Sequence, residues 1–569
     1  MIIRQVQIRR FRGIAEMDWS IGSRFSCLVG PGDSTKSTIL AAIELALSAA
    51  PYVAFNDTDF YMGVVEHPIE ITVTVGQLPQ DLLRDNKFGL ETRGWNSESG
   101  LHDEPHNGDE LVLSVRLLVD DSLEPKWTVV NDRKPDGEPI GANDRSAMGL
   151  IRISADVEQH LSWGRGSALL RLGNTQMNLR QVIAEANRRA REIVAGADLE
   201  ALKDAAFKAE QAAVTLGVKP SGHYRPGLET RAIPGRAAAL TIYDGVIPVK
   251  QSGLGNQRLI ALAVQSLAFP EGAIVLIDEV EVGLEPHRIC HLLRKLKAAT
   301  EQPPGSGNTA GQVILTTHSP IVVVELPAEN HHVVRSVSGR TEMRNVTTEL
   351  QATLRKAPEA LLGRKVIICE GKTELGICRA LEAYWTQEHG VPLSHVGTVL
   401  IEGRGSDNPR TAIQLSSLGF IVALLADSDT ALNPDVETLQ AAGVRVIQWS
   451  GNVSTEERVA LDLPLDKLSQ VLNLAERWIS EESVLDAVCH QFGKNRKTIG
   501  NNIESWLSNG IPEGEVRAAI GRAAKEKRWF KRIDIAEELG EIIGQTLPGI
   551  QSSDLSQKLK QVAAWAYEQ

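Results

Sequence analysis

The chain has 569 residues, 42% hydrophobic and 23% charged, the proportions of a soluble globular protein too long for a single core. Its formal net charge of −12 excludes a general attraction to nucleic acid, so any grip on DNA must come from local basic patches or metal-bridged phosphates. No apolar run reaches the roughly 18 residues of a membrane span, and the opening MIIRQVQIRRFRG lacks the apolar segment of a secretory leader. Cys27, Cys290, Cys369, Cys378 and Cys489 are scattered and lack CxxC spacing, as expected of reduced core thiols in a cytoplasmic protein that meets no membrane.

IIRQVQI alternates like a strand, FSCLVG is a short apolar strand, and STILAAIELALSAA has helical apolar spacing. Between residues 66 and 135, runs such as IEITVTV and LVLSVRLLV predict a small antiparallel sheet. The Ala-, Arg- and Glu-rich stretch 178–216 predicts long helices. Apolar strands resume at GAIVLIDEV and QVILTTHSP, with EQPPGSGNTAG between them as a loop. A second αβ pattern begins at Lys365 with KVIICEG, TELGICRALEAYW and GFIVALLADSDT, which places a domain boundary near 345–364; the last ninety or so residues read as mainly helical.

GPGDSTKST, residues 30–38, follows a strand and precedes a helix, the setting of a phosphate-binding loop. Gly30, Gly32 and the backbone would cradle phosphates, Lys36 would reach the β and γ phosphates of ATP, and Ser37 beside Thr38 would hold Mg²⁺. The usual second glycine is replaced by Thr35, which carries a cost if that position needs positive φ. Further along, Asp278 at a strand end would hold Mg²⁺ through water, and Glu279 would activate the attacking water. His318 ends another strand and would touch a γ phosphate. Ser252, Gly253 and Gly255 stand before a helix as a second phosphate-binding start. In this order the elements resemble ABC-type ATPases of the SMC and RecF kind. That resemblance implies a dimer in which Ser252 and its glycines act on the partner's ATP, with 178–216 as a dimerisation arm.

KVIICEGKTELGI puts Glu370 at a strand end and Glu374 four residues on; VALLADSDT puts Asp427 and Asp429 two apart. If a helix starts near Lys372 and the aspartates lie on extended chain, the four carboxylates converge at the C-terminal ends of two strands. Oxygen donors of this kind suit Mg²⁺ or Mn²⁺, and two such ions can serve a phosphodiester. The pattern resembles a Toprim domain.

An ABC-type ATPase followed by Toprim resembles the OLD (overcoming lysogenization defect) family of nucleases over nearly the whole chain. The expected fold is α/β: an ATPase domain in two parts (1–177 and 217–345) around a helical insert (178–216), a Toprim domain (346–475), and a helical C-terminal region (476–569). The resemblance implies an ATP-binding and ATP-hydrolysing, divalent-metal-dependent DNA endonuclease that cuts by two metals, a role in bacterial antiphage defence, a homodimer or higher oligomer, and in some members a helicase or reverse-transcriptase partner. It also implies a further metal acid, Glu456 or Glu457 with Glu456 preferred, and a catalytic lysine. Lys531 is chosen from KEKRWFKRID, where Lys525 and Lys527 also stand near Trp529 and Phe530. That segment reads either as a DNA contact or as a helix with buried aromatics and a solvated basic face; NRRAR (Arg188, Arg189, Arg191) likewise reads as a DNA grip or a solvated face, and GRGSD as a turn near the metals or a plain loop. Two other functions stay open: an SMC/RecF-like DNA repair ATPase or clamp whose Toprim domain does not cut, and a primase- or topoisomerase-like protein.

Overall fold

The computed structural model describes residues 1–50, 52–153, 161, 169, 200–228, 240–267, 272–301, 310–494 and 496–568. NRRAR, most of EQPPGSGNTAG and the first part of the 178–216 stretch lie outside the described residues; the rest of that stretch contains the helix Glu200–Thr215. The chain divides into two compact units, Met1–Val346 and Thr347–Gln569.

A 14-stranded mixed sheet organises the first unit. Its parallel part runs Leu150–Ile153, Ala273–Ile277, Ala310–Thr316, Phe25–Val29 and His331–Val337 in spatial order. Every residue of Phe25–Val29, Ala273–Ile277 and Ala310–Thr316 is buried, so these strands carry no polar-out alternation; AIVLI is apolar throughout, and the other two bury Ser26 and Gln312 among their apolar residues. The sheet continues through Arg340–Asn345, Ile14–Ser20, Ile2–Phe11, Ile69–Gly76 and Glu110–Val119. The strands of 66–135 pair antiparallel as their alternation predicts, but as part of the main sheet rather than as a small sheet of their own. Ile2–Phe11 pairs with Ile14–Ser20 on one side and Ile69–Gly76 on the other, and this ladder draws them into the main sheet. The helix Lys36–Ala46 buries Ile39, Leu40 and Ile43 in the same core as these strands.

The second unit is built on a four-stranded parallel sheet in the order Thr398–Glu402, Lys365–Cys369, Ile421–Ala426, Arg445–Gln448. The helix Lys372–His389 follows the second of these in space and packs against Ile533–Thr546. Small residues set that approach: a Cβ on Gly376 would lie 2.4 Å from Ala536 Cβ, and one on Gly540 2.7 Å from Ala380 Cβ. The helices of 476–569 contribute Val484, Trp506, Ile520, Leu539 and Val562 to the same apolar cluster as Ile367 and Leu425 of the sheet. No cysteine forms a disulfide, and four of the five are buried.

Candidate functional site

At the C-terminal ends of the parallel strands of the first unit lie the residues expected to handle ATP. The loop after Phe25–Val29 carries Gly30 at φ 146°, where a Cβ would meet the Val334 carbonyl oxygen at 2.6 Å. Gly32 faces open space. Thr35 adopts φ 66°, ψ 11°, the left-handed conformation that a glycine supplies at no steric cost. Its Oγ1 donates to the Ser34 carbonyl at 2.6 Å.

Lys36 is buried, and its ammonium donates to the carbonyls of Gly30 (3.0 Å) and Pro31 (2.8 Å) and to Ser34 Oγ (2.9 Å). Burial lowers its pKa to about 8 against the opposing pull of Asp33, Glu279, Glu281 and Asp278. Ser37 Oγ donates to Asp278 Oδ1 at 2.9 Å, which joins two expected Mg²⁺ ligands 241 residues apart in sequence. Thr38 follows in the first turn of the helix.

Asp278 also accepts from Thr316 Oγ1 at 2.8 Å and pairs with Arg152 Nη2 at 2.9 Å; Arg152 in turn reaches Glu44 at 2.8 Å. Glu279 stands at φ 45°, its N–H bonded to Thr316 Oγ1 at 2.8 Å, while Arg258 holds the Asp278 and Glu279 carbonyls at 2.8 and 2.5 Å. Glu281 accepts from Thr317 Oγ1 (2.8 Å) and the His318 N–H (2.6 Å), fixing the turn that presents His318. The His318 pKa is lowered, first by burial and then by the Lys36 charge. Ser252 and Gly253 precede the helix Leu254–Leu267, and a Cβ on Gly255 would lie 2.4 Å from the Gly283 carbonyl oxygen.

Arg152, Arg258, Thr316 and Glu281 were not singled out from sequence. Glu281 stands two residues after Glu279 in DEVE and was open to notice. Arg152 carries no local signal, because only the pairing of Leu150–Ile153 with Ala273–Ile277 brings it to Asp278.

In the second unit the carboxylates gather at the C-terminal ends of Lys365–Cys369 and Ile421–Ala426. Asp427 and Asp429 lie beyond the strand, which ends at Ala426, so they are not aligned on one extended face as alternation suggested. Asp427 turns toward the start of the helix Thr455–Asp462 and accepts from Thr455 N and Oγ1, both at 2.8 Å. Glu370 Oε2 accepts from the Asp427 N–H at 2.5 Å. Glu374 Oε2 accepts from the Gly371 N–H at 2.8 Å, a capping contact at the start of Lys372–His389. Glu456 is 2% exposed and meets Thr373 Oγ1 and Lys531 Nζ, each at 3.1 Å. Asp429 pairs with Lys525 at 2.5 Å, and Lys525 lies 3.5 Å from Glu457.

This is a single electrostatic cluster. Burial, then Glu374 and Glu370, push the Asp427 pKa up to about 8. Burial also raises Glu370 and Glu374. Burial works against the charge of Lys531, but Glu456, Glu374 and Asp427 outweigh it and its pKa rises. Glu374 Oε1 and Glu456 Oε2 are buried without a hydrogen-bond partner. The acids are spaced more openly than a closed ligand cage, since no three of them bring oxygens within 4.8 Å of one another. The GRGSD turn rests against this site: Gly403 N–H bonds to the Cys369 carbonyl at 2.7 Å, and Asn408 Nδ2 to the Glu370 carbonyl at 3.1 Å.

Trp529 and Phe530 are 2% and 1% exposed, so the aromatic half of KEKRWFKRID is core and offers no stacking platform. Their burial instead anchors the segment that delivers Lys531 and Lys525. Lys527 pairs only loosely with neighbouring Glu526 at 3.5 Å.

Residues 221–325 match the family model described as "AAA domain, putative AbiEii toxin, Type IV TA system". An SMC head domain from Thermotoga maritima is similar at 14% identity over 61% of this chain and 100% of that one, with a TM-score of 0.31. No curated protein matches. The family match, with the loop, acids and serine gathered around Asp278, defines an ATPase domain of the AAA type in the first unit. Such domains use ATP, usually with Mg²⁺. No helix among the described residues is long and apolar enough to cross a membrane.

Proposed function

We propose that this protein is an ATP-regulated, divalent-metal-dependent DNA endonuclease of the OLD kind, with a Toprim nuclease centre in the second unit. The observation that carries the reading is the convergence of Glu370, Glu374, Asp427, Asp429 and Glu456 with Lys525 and Lys531 at one sheet end. Buried carboxylates with raised pKa and two orphaned oxygens are costly without a cation, and an all-oxygen donor set fits Mg²⁺ or Mn²⁺.

Glu370, Asp427 and Asp429 would hold one ion, and Glu374 with Glu456 a second. When bound, such ions stabilise attacking and leaving oxygens at a phosphodiester. Thr455 fixes one Asp427 oxygen, and the Asp427 N–H fixes Glu370, so the acids are aimed before any ligand arrives. Lys531 stays protonated and would meet negative charge developing on the phosphate. Lys525 holds Asp429.

In the first unit Lys36, Ser37, Thr38, Gly30, Gly32 and Asp278 would bind Mg²⁺·ATP, Glu279 would orient the attacking water, and His318 would touch the γ phosphate. Ser252, Gly253 and Gly255 would complete the site of a second copy, and the exposed Leu254 beside them suits a dimer face. ATP would gate cleavage rather than power it. A role in antiphage defence, with or without a helicase or reverse-transcriptase partner, follows from the family resemblance and belongs to the same proposal.

The test is incubation of the purified protein with supercoiled plasmid and Mg²⁺ or Mn²⁺, with and without ATP, beside Asp427→Ala. Metal-dependent nicking or linearisation that the variant loses while keeping ATP hydrolysis is expected. Cutting that survives in Asp427→Ala refutes the assignment; ATP hydrolysis with no cutting under any condition favours a clamp.

A further inference from the structure

The first unit carries a second cluster of metal-ligating side chains, remote in sequence from both nucleotide motifs. HDEPHNGD, residues 102–109, joins the short strand Gly100–His102 to Glu110–Val119. His102 Nδ1 lies 2.7 Å from Asp109 Oδ2 and His106 Nδ1 lies 3.8 Å from the same oxygen, with the two imidazole centroids 4.5 Å apart and the ring planes tilted by 44°. Ligand atoms from all three residues lie within 4.8 Å of one another, the closest such trio among the described residues.

We propose that His102, His106 and Asp109 bind one first-row transition-metal dication, with Zn²⁺ the best fit. Two imidazoles and one carboxylate suit Zn²⁺ and its neighbours, whereas Mg²⁺ and Ca²⁺ favour oxygen alone. Ligands at about 2.0–2.2 Å from a tetrahedral ion stand about 3.3 Å apart. The 2.7 Å contact must open and the 3.8 Å contact must close, each by about half an ångström, a shift within reach of side-chain rotation. The His102 tautomer with its proton on Nε2 offers an ion the Nδ1 lone pair, on the nitrogen that stands 2.7 Å from Asp109 Oδ2.

The corner is shaped around the carboxylate. A Cβ on Gly94 would lie 2.4 Å from Asp109 Oδ2 and 2.9 Å from Pro105 Cα, so the facing strand must carry glycine there. Asp109 is 3% exposed at its side chain and its Oδ2 also accepts the His106 N–H at 2.9 Å, which ties the loop to the ligand. The intervening acids are turned elsewhere. Asp103 accepts from the Asp132 N–H at 2.6 Å and pairs with Arg133 at 3.2 Å, and Glu104 lies 3.8 Å from Arg133. His106 is 68% exposed, so an ion can arrive from solvent and keep water in its remaining position.

The experiment uses the full chain stripped of metal and held in excess Mg²⁺, which fills oxygen-donor sites. Zn²⁺ binding is measured by calorimetry and by metal content after dialysis, and Co²⁺ serves as the optical probe. One equivalent of Zn²⁺ and an intense visible Co²⁺ band are expected. His106→Gln and Asp109→Asn should each weaken Zn²⁺ binding by about tenfold or more and remove the band. Because His106 is exposed, its variant should keep the wild-type melting temperature without metal. No stoichiometric Zn²⁺ in the wild type, or unchanged affinity and spectrum in His106→Gln, overturns the assignment.

Discussion

Replacing Thr35 by glycine and, separately, by alanine isolates the strain in the phosphate loop. Thr35 stands at φ 66°, where a residue with a Cβ loses about 1–2 kcal/mol. Alanine keeps that strain and gives up the Oγ1 bond to the Ser34 carbonyl (2.6 Å) and the contact with Thr341 Oγ1 (3.2 Å). Glycine gives up the same contacts and removes the strain, but its freer unfolded chain costs about 0.5–1 kcal/mol. The glycine variant should therefore be the more stable by about 0.5–1 kcal/mol, the reverse of their order in a helix interior. Amide hydrogen exchange of peptides spanning residues 25–46 reads the first unit locally, and protection should be about two- to fivefold greater in Thr35→Gly than in Thr35→Ala. Equal or greater protection in the alanine variant would refute the claim that the left-handed backbone at this position is enforced by the fold.

Three further outcomes follow from the packing and charge of the two units. His331 is fully buried with Nδ1 against the Pro327 carbonyl at 3.0 Å, and burial lowers its pKa to about 4. The unfolded chain takes up the proton first as pH falls, so stability is complete above about pH 6.5 and drops by up to roughly 3 kcal/mol toward pH 4; His331→Asn should flatten that part of a melting-temperature profile. Gly376→Ala should cost about 1–3 kcal/mol, read by chemical denaturation of the second unit's helices, since the new Cβ meets Ala536 Cβ at 2.4 Å and the Ile533 carbonyl oxygen at 2.8 Å. Lys531→Met strips a cation from buried Glu456 and Glu374; with Lys531 itself 39% exposed, solvent reduces the loss to about 1–2 kcal/mol. Mg²⁺ or Mn²⁺ should restore more of the melting temperature in this variant than in the wild type, and equal shifts in both would count against the cation-binding role of the acids.

Local sequence determined a good deal here. Unbroken apolar runs are legible as strands buried on both faces, and turns such as GPGDSTKST and CEGKTE are legible as strand-to-helix joints, because side-chain period and backbone preference act within a few residues. The same runs mark where Gly30, Asp278, Glu370 and Asp427 leave the sheet. Partnerships across the chain were decided only by tertiary structure. Ser37 meets Asp278, Arg152 meets Asp278, and Thr455 meets Asp427 through strand order and helix placement, for which spacing in the sequence carries no information. The same holds for the Lys531 segment: its composition suits either a DNA contact or a packed helix, and burial of Trp529 and Phe530 settles that the aromatics are core. The absorption of 66–135 into one large sheet has the same cause. A strand's alternation specifies which face it buries, whereas its neighbour is chosen by backbone pairing between segments that meet only in the folded chain.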